Sequence, residues 1–383
     1  MHRPLFYILI SFLLFTGNHA LIGQDTDWKK MIDDWREAYH VPGLSVGIIK
    51  NGEVIFSDGA GVLEEGKKQE PDGQTLYAIA SNTKAFISAA IATLVDEGKL
   101  NWDEPVSKYL PYFQLYDPCV SEMATIRDLL CHRVGLGTFS GDAIWYRSVY
   151  SAEEVVKHAS AIPQAFQFRS GFGYSNVMFI AAGEVIRKVT GKSWDQYVKE
   201  KFITPLKMDR TVTSTNDLPG KKNVATPHNP NGNGNDPLPW VEWNSSGAAG
   251  GIISCTDDML KWMGMQLNRG IVGTDTFFTR ADQQMMWTPQ VSYTVSDRAR
   301  EIYGNRNFNG YGLGWGTSEY HSRQMISHTG GYDGMYSAVT LLPTEKIGVV
   351  VLTNTQRSIS VMLSLEIIDK LLGLPQKDWK ERG

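Results

Sequence analysis

Residues 43–56 read GLSVGIIKNGEVIF, a stretch that predicts two antiparallel strands joined by a tight turn. Asn51 and Gly52 both tolerate the positive φ angles that a two-residue hairpin needs, and apolar runs flank them. We therefore expect strands at 44–50 and 53–56, and with them the beginning of an antiparallel sheet.

Matching patterns lie at both ends of the chain. Ahead of the hairpin, apolar residues from Trp28 onward recur along one face of a predicted helix. Near the C-terminus we expect three strands and a final helix, at 325–328, 335–342, 347–352 and about 358–372. The sequence thus predicts an α+β fold whose antiparallel sheet is formed from both chain ends and flanked by terminal helices.

Helical patterns dominate the residues between these ends, at 81–97, 151–159, 176–189 and 194–202. The stretch at 229–239 is rich in Asn, Gly and Pro, which predicts a loop near the mouth of a site. We expect one domain over 24–383, with an α/β lobe at about 24–64 and 320–383 and a large inserted helical lobe at about 65–319.

The N-terminus resembles a secretory signal peptide. An apolar run, interrupted by Ser11, covers 5–15 and follows His2 and Arg3. A bilayer span needs about 20 apolar residues, so we expect a signal peptide at 1–23 and no stable membrane span after its removal. A secreted or periplasmic protein follows from this prediction. The alternative is a buried N-terminal helix.

Composition narrows the function classes. The 37 basic residues are balanced by 41 acidic ones without any basic run, so we expect no nucleic-acid partner. The chain has three cysteines, Cys119, Cys131 and Cys255, and this odd number implies at least one free thiol. The eight histidines are scattered and form no H-E-x-x-H pattern, so we expect neither a metal site nor a cofactor.

Two serine motifs compete for the role of nucleophile. Ser45 lies in a G-x-S-x-G pattern, but that elbow requires a helix after the serine, and here a strand continues. Ser81 and Lys84 form an S-x-x-K pattern, whose spacing places both side chains on one face of a helix. A buried lysine with a lowered pKa can take the proton of such a serine. The alternative for Ser81 is a plain helix cap beside an exposed lysine.

Two further stretches carry groups that suit the same chemistry. Tyr174 and Asn176 follow a glycine-rich turn and open a predicted helix, and a phenol there could relay a proton. Tyr303 and Asn305 show the same Y-x-N spacing, in a less ordered context. Four residues at the end of a predicted strand could bind substrate: His328, Thr329, Gly330 and Gly331. The backbone N–H of Gly331 could form an oxyanion hole together with that of Ser81. Taken alone, each stretch also fits ordinary packing or a turn.

In this order, the motifs resemble those of the serine β-lactamase and penicillin-binding-protein superfamily, of which S-x-x-K and K-T-G are signatures. The Tyr-Ser-Asn form is similar to the class C branch, which also holds family VIII esterases, D-aminopeptidases and D-Ala-D-Ala carboxypeptidase-like proteins. LLCHRVGL at 129–136 and AGGIIS at 249–254 also resemble family motifs. The resemblance covers 28–372.

The resemblance implies a role for each site residue. Ser81 would attack a carbonyl with help from Lys84, Tyr174 would act as base or acid, and Asn176 would bind the acyl group's amide. His328 stands where β-lactamases carry a lysine, which removes a fixed positive charge for a β-lactam carboxylate. The resemblance therefore implies an ester, amide or peptide substrate and at most weak β-lactam hydrolysis.

One alternative of another class remains open, a non-catalytic ligand-binding or sensor protein that keeps the fold. The intact serine, lysine and tyrosine favour the enzyme. We also expect Asp142, Trp145 and Trp243 to line the cleft. The sequence predicts neither the exact substrate nor the oligomeric state.

Overall fold

The computed structural model describes residues 26–303 and 306–381. The predicted signal peptide at 1–23 and most of the second Y-x-N match, Gly304 and Asn305, lie outside the described residues.

The architecture is centred on an eight-stranded antiparallel sheet, in the order β2-β1-β14-β13-β12-β11-β10-β9. The first strand pairs with the last, from Leu44 opposite Thr353 to Lys50 opposite Ile347, which confirms that both chain ends form one sheet. In chain order the strands of the described residues are β1 (Gly43–Lys50), β2 (Glu53–Gly61), β3 (Tyr77–Ala78), β4 (His228–Asn231), β5 (Gly234–Pro237), β6 (Ile253–Ser254), β7 (Ile271–Val272), β8 (Asp275–Thr276), β9 (Val291–Ser292), β10 (Asn309–Tyr311), β11 (Gly316–Tyr320), β12 (Arg323–Tyr332), β13 (Met335–Leu342) and β14 (Ile347–Thr353).

The predicted hairpin is present, and its turn has the backbone that the sequence requires. Asn51 has a φ of 54° and Gly52 a φ of 84°, so both central residues are left-handed as in a type I′ turn. Along β1, side chains alternate between the two faces of the sheet. Val46 and Ile48 pack into the core beneath the terminal helices, whereas Ile49 packs into the core of the helical lobe.

Helices cover both faces of the sheet. α1 and α13 form the layer on one face, and the remaining core lies between the other face and the helical lobe. α2 is buried on nearly all sides, as its Ala- and Ile-rich sequence predicts. The helices are α1 (Trp28–Ala38), α2 (Thr83–Asp96), α3 (Pro118–Met123), α4 (Ile126–Leu130), α5 (Asp142–Trp145), α6 (Ala152–Lys157), α7 (Asn176–Thr190), α8 (Trp194–Val198), α9 (Gly247–Gly250), α10 (Thr256–Leu267), α11 (Arg280–Trp287), α12 (Asp297–Tyr303) and α13 (Ser360–Leu372). Over 26–303 and 306–381, no helix has the length and apolar character to cross a bilayer.

The sheet is larger than the sequence predicts. β9, β10 and β11 extend it, so its contiguous C-terminal part begins at Val291 rather than near 320. β12 also continues past the predicted end at 328, because its residues stay paired with β13 as far as Tyr332 opposite Met335. Short strands of low apolar content, such as β9, give little period-2 signal to a sequence pattern.

The Asn- and Gly-rich stretch at 229–239 is not a plain loop. It forms the small hairpin β4–β5, which is held by distant partners. His228 Nδ1 lies 2.9 Å from the carbonyl oxygen of Asn354, and Asn235 Nδ2 donates to that of His40 at 2.7 Å. Composition predicts turns there, whereas long-range hydrogen bonds such as these order the strands.

Candidate active site

Ser81 lies in a 3₁₀ turn, Ala80–Asn82, that leads directly into α2. Ala80 has a φ of 46°, a left-handed conformation that is uncommon for a residue other than glycine. Ser81 remains partly exposed, while its two neighbours are buried. The turn therefore presents this hydroxyl to the cleft at the beginning of a buried helix.

Lys84 is fully buried, one helical turn beyond Ser81. Its Nζ lies 3.0 Å from Ser81 Oγ, 2.8 Å from Asn176 Oδ1 and 2.7 Å from the carbonyl oxygen of Ala249. Burial lowers the pKa of Lys84 to about 7, against the opposing charge of Asp142. Near neutral pH a large fraction of Lys84 is thus an uncharged amine, able to accept the proton of Ser81.

Tyr174 packs beside both groups from the loop that precedes α7. The Nζ atom of Lys84 lies 4.8 Å from the centre of its ring. Burial raises the pKa of Tyr174 well above its ordinary value, and the side chain of Ser81 opposes that rise only in part. Tyr174 is therefore a protonated phenol at neutral pH, which suits a proton donor better than a base.

His132, from the LLCHRVGL stretch, packs against the loop that carries Tyr174. Its ring centre lies 4.3 Å from that of Tyr174, and its Nδ1 accepts the backbone N–H of Ser175 at 3.1 Å. The contact fixes the Tyr174 ring through its neighbour in sequence.

Asn176, the first residue of α7, connects Lys84 to the partly buried carboxylate of Asp142. Its Oδ1 accepts from Lys84, and its Nδ2 donates to Asp142 Oδ2 at 3.1 Å. Asp142 also accepts from Trp145 Nε1 at 2.8 Å. Because an ionised carboxylate only accepts, Nδ2 must face Asp142, and this determines the orientation of the Asn176 amide.

His328 is buried and neutral. Its Nε2 lies 2.8 Å from the hydroxyl of Tyr311, and its Nδ1 lies 2.6 Å from the carbonyl oxygen of Thr329. Since a carbonyl only accepts, Nδ1 carries the proton and Nε2 accepts from the tyrosine. Burial, together with the charge of Lys84, lowers the pKa of His328 to about 3. The imidazole therefore supplies no positive charge at neutral pH.

Gly330 allows β12 to pack directly on the Ser81 turn. A Cβ atom at this position would lie 2.2 Å from the carbonyl oxygen of Ile79 and 2.5 Å from Ser337 Oγ. The next residue, Gly331, is exposed. Thr329 lines a cavity of about 300 Å³ together with Tyr174 and His328.

The structure thus brings the predicted residues into one cleft. Ser81, Lys84 and Asn176 are joined by hydrogen bonds, Tyr174 packs beside Lys84, and the 328–331 strand closes the opposite wall. A larger open groove, of about 980 Å³, contains none of these residues.

Sequence reasoning missed three groups that support the site. The Tyr311 hydroxyl holds His328, the Ala249 carbonyl accepts from Lys84, and Asn82 Nδ2 donates to Ser337 Oγ at 2.8 Å. Only the AGGIIS stretch gave a signal, as a family motif without an assigned contact. The other partners are distant in sequence and follow no spacing rule.

Ser45 of the G-x-S-x-G pattern is a structural residue. It is buried within β1, and its Oγ donates to the carbonyl oxygen of Asp72 at 2.9 Å. The three cysteines are free thiols, with Cys119 exposed and the other two buried. In the described part of the chain, no cluster of three or more His, Cys, Asp or Glu side chains could hold a metal ion.

Comparison with known proteins places this geometry in a family. A family model described as Beta-lactamase matches residues 28–371. The chain is 29% identical over 324 residues to Protein flp of Staphylococcus aureus strain MW2, which covers 82% of this chain and 60% of that protein. It is 28% identical over 376 residues to Unguisins hydrolase ungD' of Aspergillus campestris, covering 93% of this chain and 68% of that protein.

Solved structures share the fold. The octameric penicillin-binding protein homologue from Pyrococcus abyssi superposes with a TM-score of 0.81 at 26% identity, over 91% of this chain and 78% of that one. The D-amino acid amidase from Ochrobactrum anthropi SV3 gives a TM-score of 0.71 at 22% identity, over 90% and 96% of the two chains. With the family model matched from α1 to α13, the chain belongs to the beta-lactamase family.

Proposed function

We propose that this protein is a serine hydrolase that acts through an acyl-enzyme on ester, amide or peptide substrates. The observation that carries the proposal is the buried Lys84 amine, with its pKa lowered to about 7, placed 3.0 Å from Ser81 Oγ. A serine hydroxyl becomes a nucleophile when a base of suitable pKa can take its proton.

Acylation begins when Ser81 Oγ attacks the substrate carbonyl carbon and its proton passes to Lys84 Nζ. The bond to the leaving group then breaks as Tyr174 gives its proton to the departing oxygen or nitrogen. The Lys84 ammonium returns a proton to Tyr174, so the site keeps its protons in balance. Lys84 Nζ lies 4.8 Å from the centre of the Tyr174 ring, so the two groups of this relay are packed together.

Deacylation uses the same groups in reverse. A water molecule loses a proton to Lys84 Nζ and attacks the acyl carbon. The bond to Ser81 Oγ breaks, and that oxygen regains a proton from the Lys84 ammonium, 3.0 Å away. The backbone N–H groups of Ser81 and Gly331 stabilise the oxyanion in both steps, and Asn176 and Thr329 bind the substrate's polar groups.

The substrate preference follows from charge. A neutral His328, held by Tyr311 and Thr329, offers no cation to the carboxylate of a β-lactam. We therefore assign at most weak β-lactam hydrolysis to this site. The names of two similar proteins, a hydrolase and a D-amino acid amidase, agree with hydrolysis of amide or related bonds. Secretion to the periplasm, which requires the signal peptide at 1–23, is part of the same proposal.

The test is hydrolysis of p-nitrophenyl acetate by wild type, Ser81→Ala and the control Ser45→Ala. We expect Ser81→Ala to lose about a thousandfold or more in kcat/KM, and Ser45→Ala to retain Ser81-dependent hydrolysis. In the wild type, kcat/KM should rise with pH to a plateau with an apparent pKa near that of Lys84, about 7. Full activity in Ser81→Ala contradicts the proposal.

Intact-protein mass spectrometry separates the enzyme from the binding-protein alternative. A Ser81 acyl adduct that forms and then disappears supports hydrolysis. An adduct that forms and never turns over with any ester, D-peptide or β-lactam supports a sensor instead.

A further inference from the structure

Beyond the nucleophile, two hydrogen bonds to one carboxylate join the walls of the cleft. The Tyr146 hydroxyl donates to Asp333 Oδ1, and Trp243 Nε1 donates to Asp333 Oδ2 at 3.2 Å. Tyr146 follows directly after α5 in the helical lobe, whereas Asp333 lies in the turn between β12 and β13. Both carboxylate oxygens of Asp333 are therefore engaged by side chains from outside its own hairpin.

The bond between Tyr146 and Asp333 crosses the cleft on the side of Asn176. α5 begins with Asp142, which accepts from Asn176, so Tyr146 belongs to the wall that carries this amide. Asp333 follows Gly331 by two residues and belongs to the opposite wall. The cavity beside His328 does not include either residue of the bond.

Aromatic side chains pack against one another around this end of the cleft. The ring centres of Trp145 and Trp243 lie 5.3 Å apart in an edge-to-face arrangement, and Trp243 lies 4.9 Å from Tyr332. A Cβ atom on Gly250 would lie 2.8 Å from the Trp243 ring, next to the carbonyl that accepts from Lys84. These aromatic side chains therefore extend from the surface to the Ala249 carbonyl, which contacts Lys84 beside Ser81.

The bond is placed where it can break without unfolding the protein. Trp145 is buried, but Tyr146 is 38% exposed, so its side chain can rotate into solvent once its hydrogen bond is lost. A hydrogen bond at such a position contributes little to global stability and can open locally.

We propose that the Tyr146–Asp333 hydrogen bond closes the acyl side of the cleft and restricts the enzyme to substrates with short acyl groups. The inference rests on the proposed serine hydrolase function and on the binding of the acyl group beside Asn176. A long acyl chain must displace the bond to extend past the packed rings of Trp145 and Trp243, whereas an acetyl group fits behind it.

The experiment compares kcat/KM for p-nitrophenyl acetate and p-nitrophenyl octanoate. Wild type, Tyr146→Phe, Asp333→Ala and the control Tyr150→Phe are assayed together. We expect the octanoate-to-acetate ratio to rise about tenfold or more in the first two variants. Tyr150 is a matched control because it lies on the same lobe, is 39% exposed and stacks on His158 rather than bridging the cleft. Its variant should keep the wild-type ratio.

The outcomes separate this inference from the function on which it rests. An unchanged ratio in Tyr146→Phe, with Ser81-dependent hydrolysis of acetate intact, overturns the closure and leaves the hydrolase proposal standing. The same rise in Tyr150→Phe also overturns it. No Ser81-dependent hydrolysis of either ester overturns the function itself. Tyr146→Phe removes one oxygen from a partly exposed side chain, so the test does not depend on Asp333→Ala folding.

Discussion

Lys84 illustrates how one residue serves chemistry at the expense of stability. Its amine is fully buried, and burial is the main cause of its lowered pKa. The acceptors around it are a hydroxyl, an amide oxygen and a backbone carbonyl, none of which carries a full negative charge. An ammonium group in this site is therefore poorly compensated, and this is what leaves the amine unprotonated, and so able to accept a proton, near neutral pH.

The pH dependence of stability tests this burial. The folded pKa of Lys84 is about 7 and its ordinary value is 10.5, so between these pH values the unfolded chain binds a proton that the folded protein lacks. Stability from this group therefore increases as pH rises through that window. Relative to Lys84→Met, we expect the unfolding free energy of the wild type to increase by on the order of 4 kcal/mol as pH rises through this window.

Urea unfolding at several pH values from 7 to 10 measures this difference. Lys188→Met, which changes an exposed lysine of α7, is the control and should show no such trend relative to the wild type. A pH-independent difference between wild type and Lys84→Met would show that this amine is not desolvated.

At the scale of the element, the same residues of β12 must make close contacts on two sides. Its backbone must pair with β13 through Gly330 opposite Ser337, and its other side must approach the Ser81 turn. The Ser337 hydroxyl donates to the Ile79 carbonyl at 2.8 Å and so links that turn to the sheet. A side chain at 330 would separate strand and turn, whereas glycine permits both contacts.

Gly330→Ala tests this packing. The added methyl group meets backbone at 2.2 Å, so the strand must move away from the Ser81 turn. We expect a loss of about 1–3 kcal/mol in unfolding free energy, and a fall in kcat/KM of about tenfold or more. Gly331→Ala is the stability control, because its Cβ would have its nearest neighbour at 4.0 Å. Wild-type stability and activity in Gly330→Ala would mean that strand and turn do not touch.

At the scale of the whole molecule, the chain ends hold the fold together. β1 lies between β2 and β14, so the N-terminal hairpin completes a sheet whose other strands come from the last third of the chain. α1 and α13 then bury one face of that sheet in a single core that includes Trp35 and Trp379. No disulfide contributes among the described residues, since all three cysteines are free.

Thiol titration measures this global packing. In the native protein we expect Ellman's reagent to react rapidly with one thiol, that of the exposed Cys119. In guanidinium chloride all three cysteines should react. Burial raises the pKa of Cys131 to about 12 and that of Cys255 to about 12, which makes both thiols unreactive until the fold opens. Rapid reaction of two or three thiols in the native state would contradict the described packing.

Several features of this protein could be predicted from local sequence because they depend on local physics. The Asn51-Gly52 turn, the terminal helices and the one-turn spacing of Ser81 and Lys84 follow from backbone preference and periodicity. The order of the motifs was enough to indicate the family. The sequence underestimated the sheet, since β9 and β10 are too short to show a pattern and depend on their neighbours for order.

By itself, then, the sequence determined the residue types available for catalysis and the elements that carry them. Only the tertiary structure decided their protonation and their partners. His328 is neutral because it is buried and its Nε2 faces the Tyr311 hydroxyl. Lys84 can act as a base near neutral pH because burial excludes water from its amine and lowers its pKa. The closure by Tyr146 and Asp333 likewise joins two segments that lie far apart in sequence. Burial and distance between such segments are properties of the folded chain, and no spacing rule contains them.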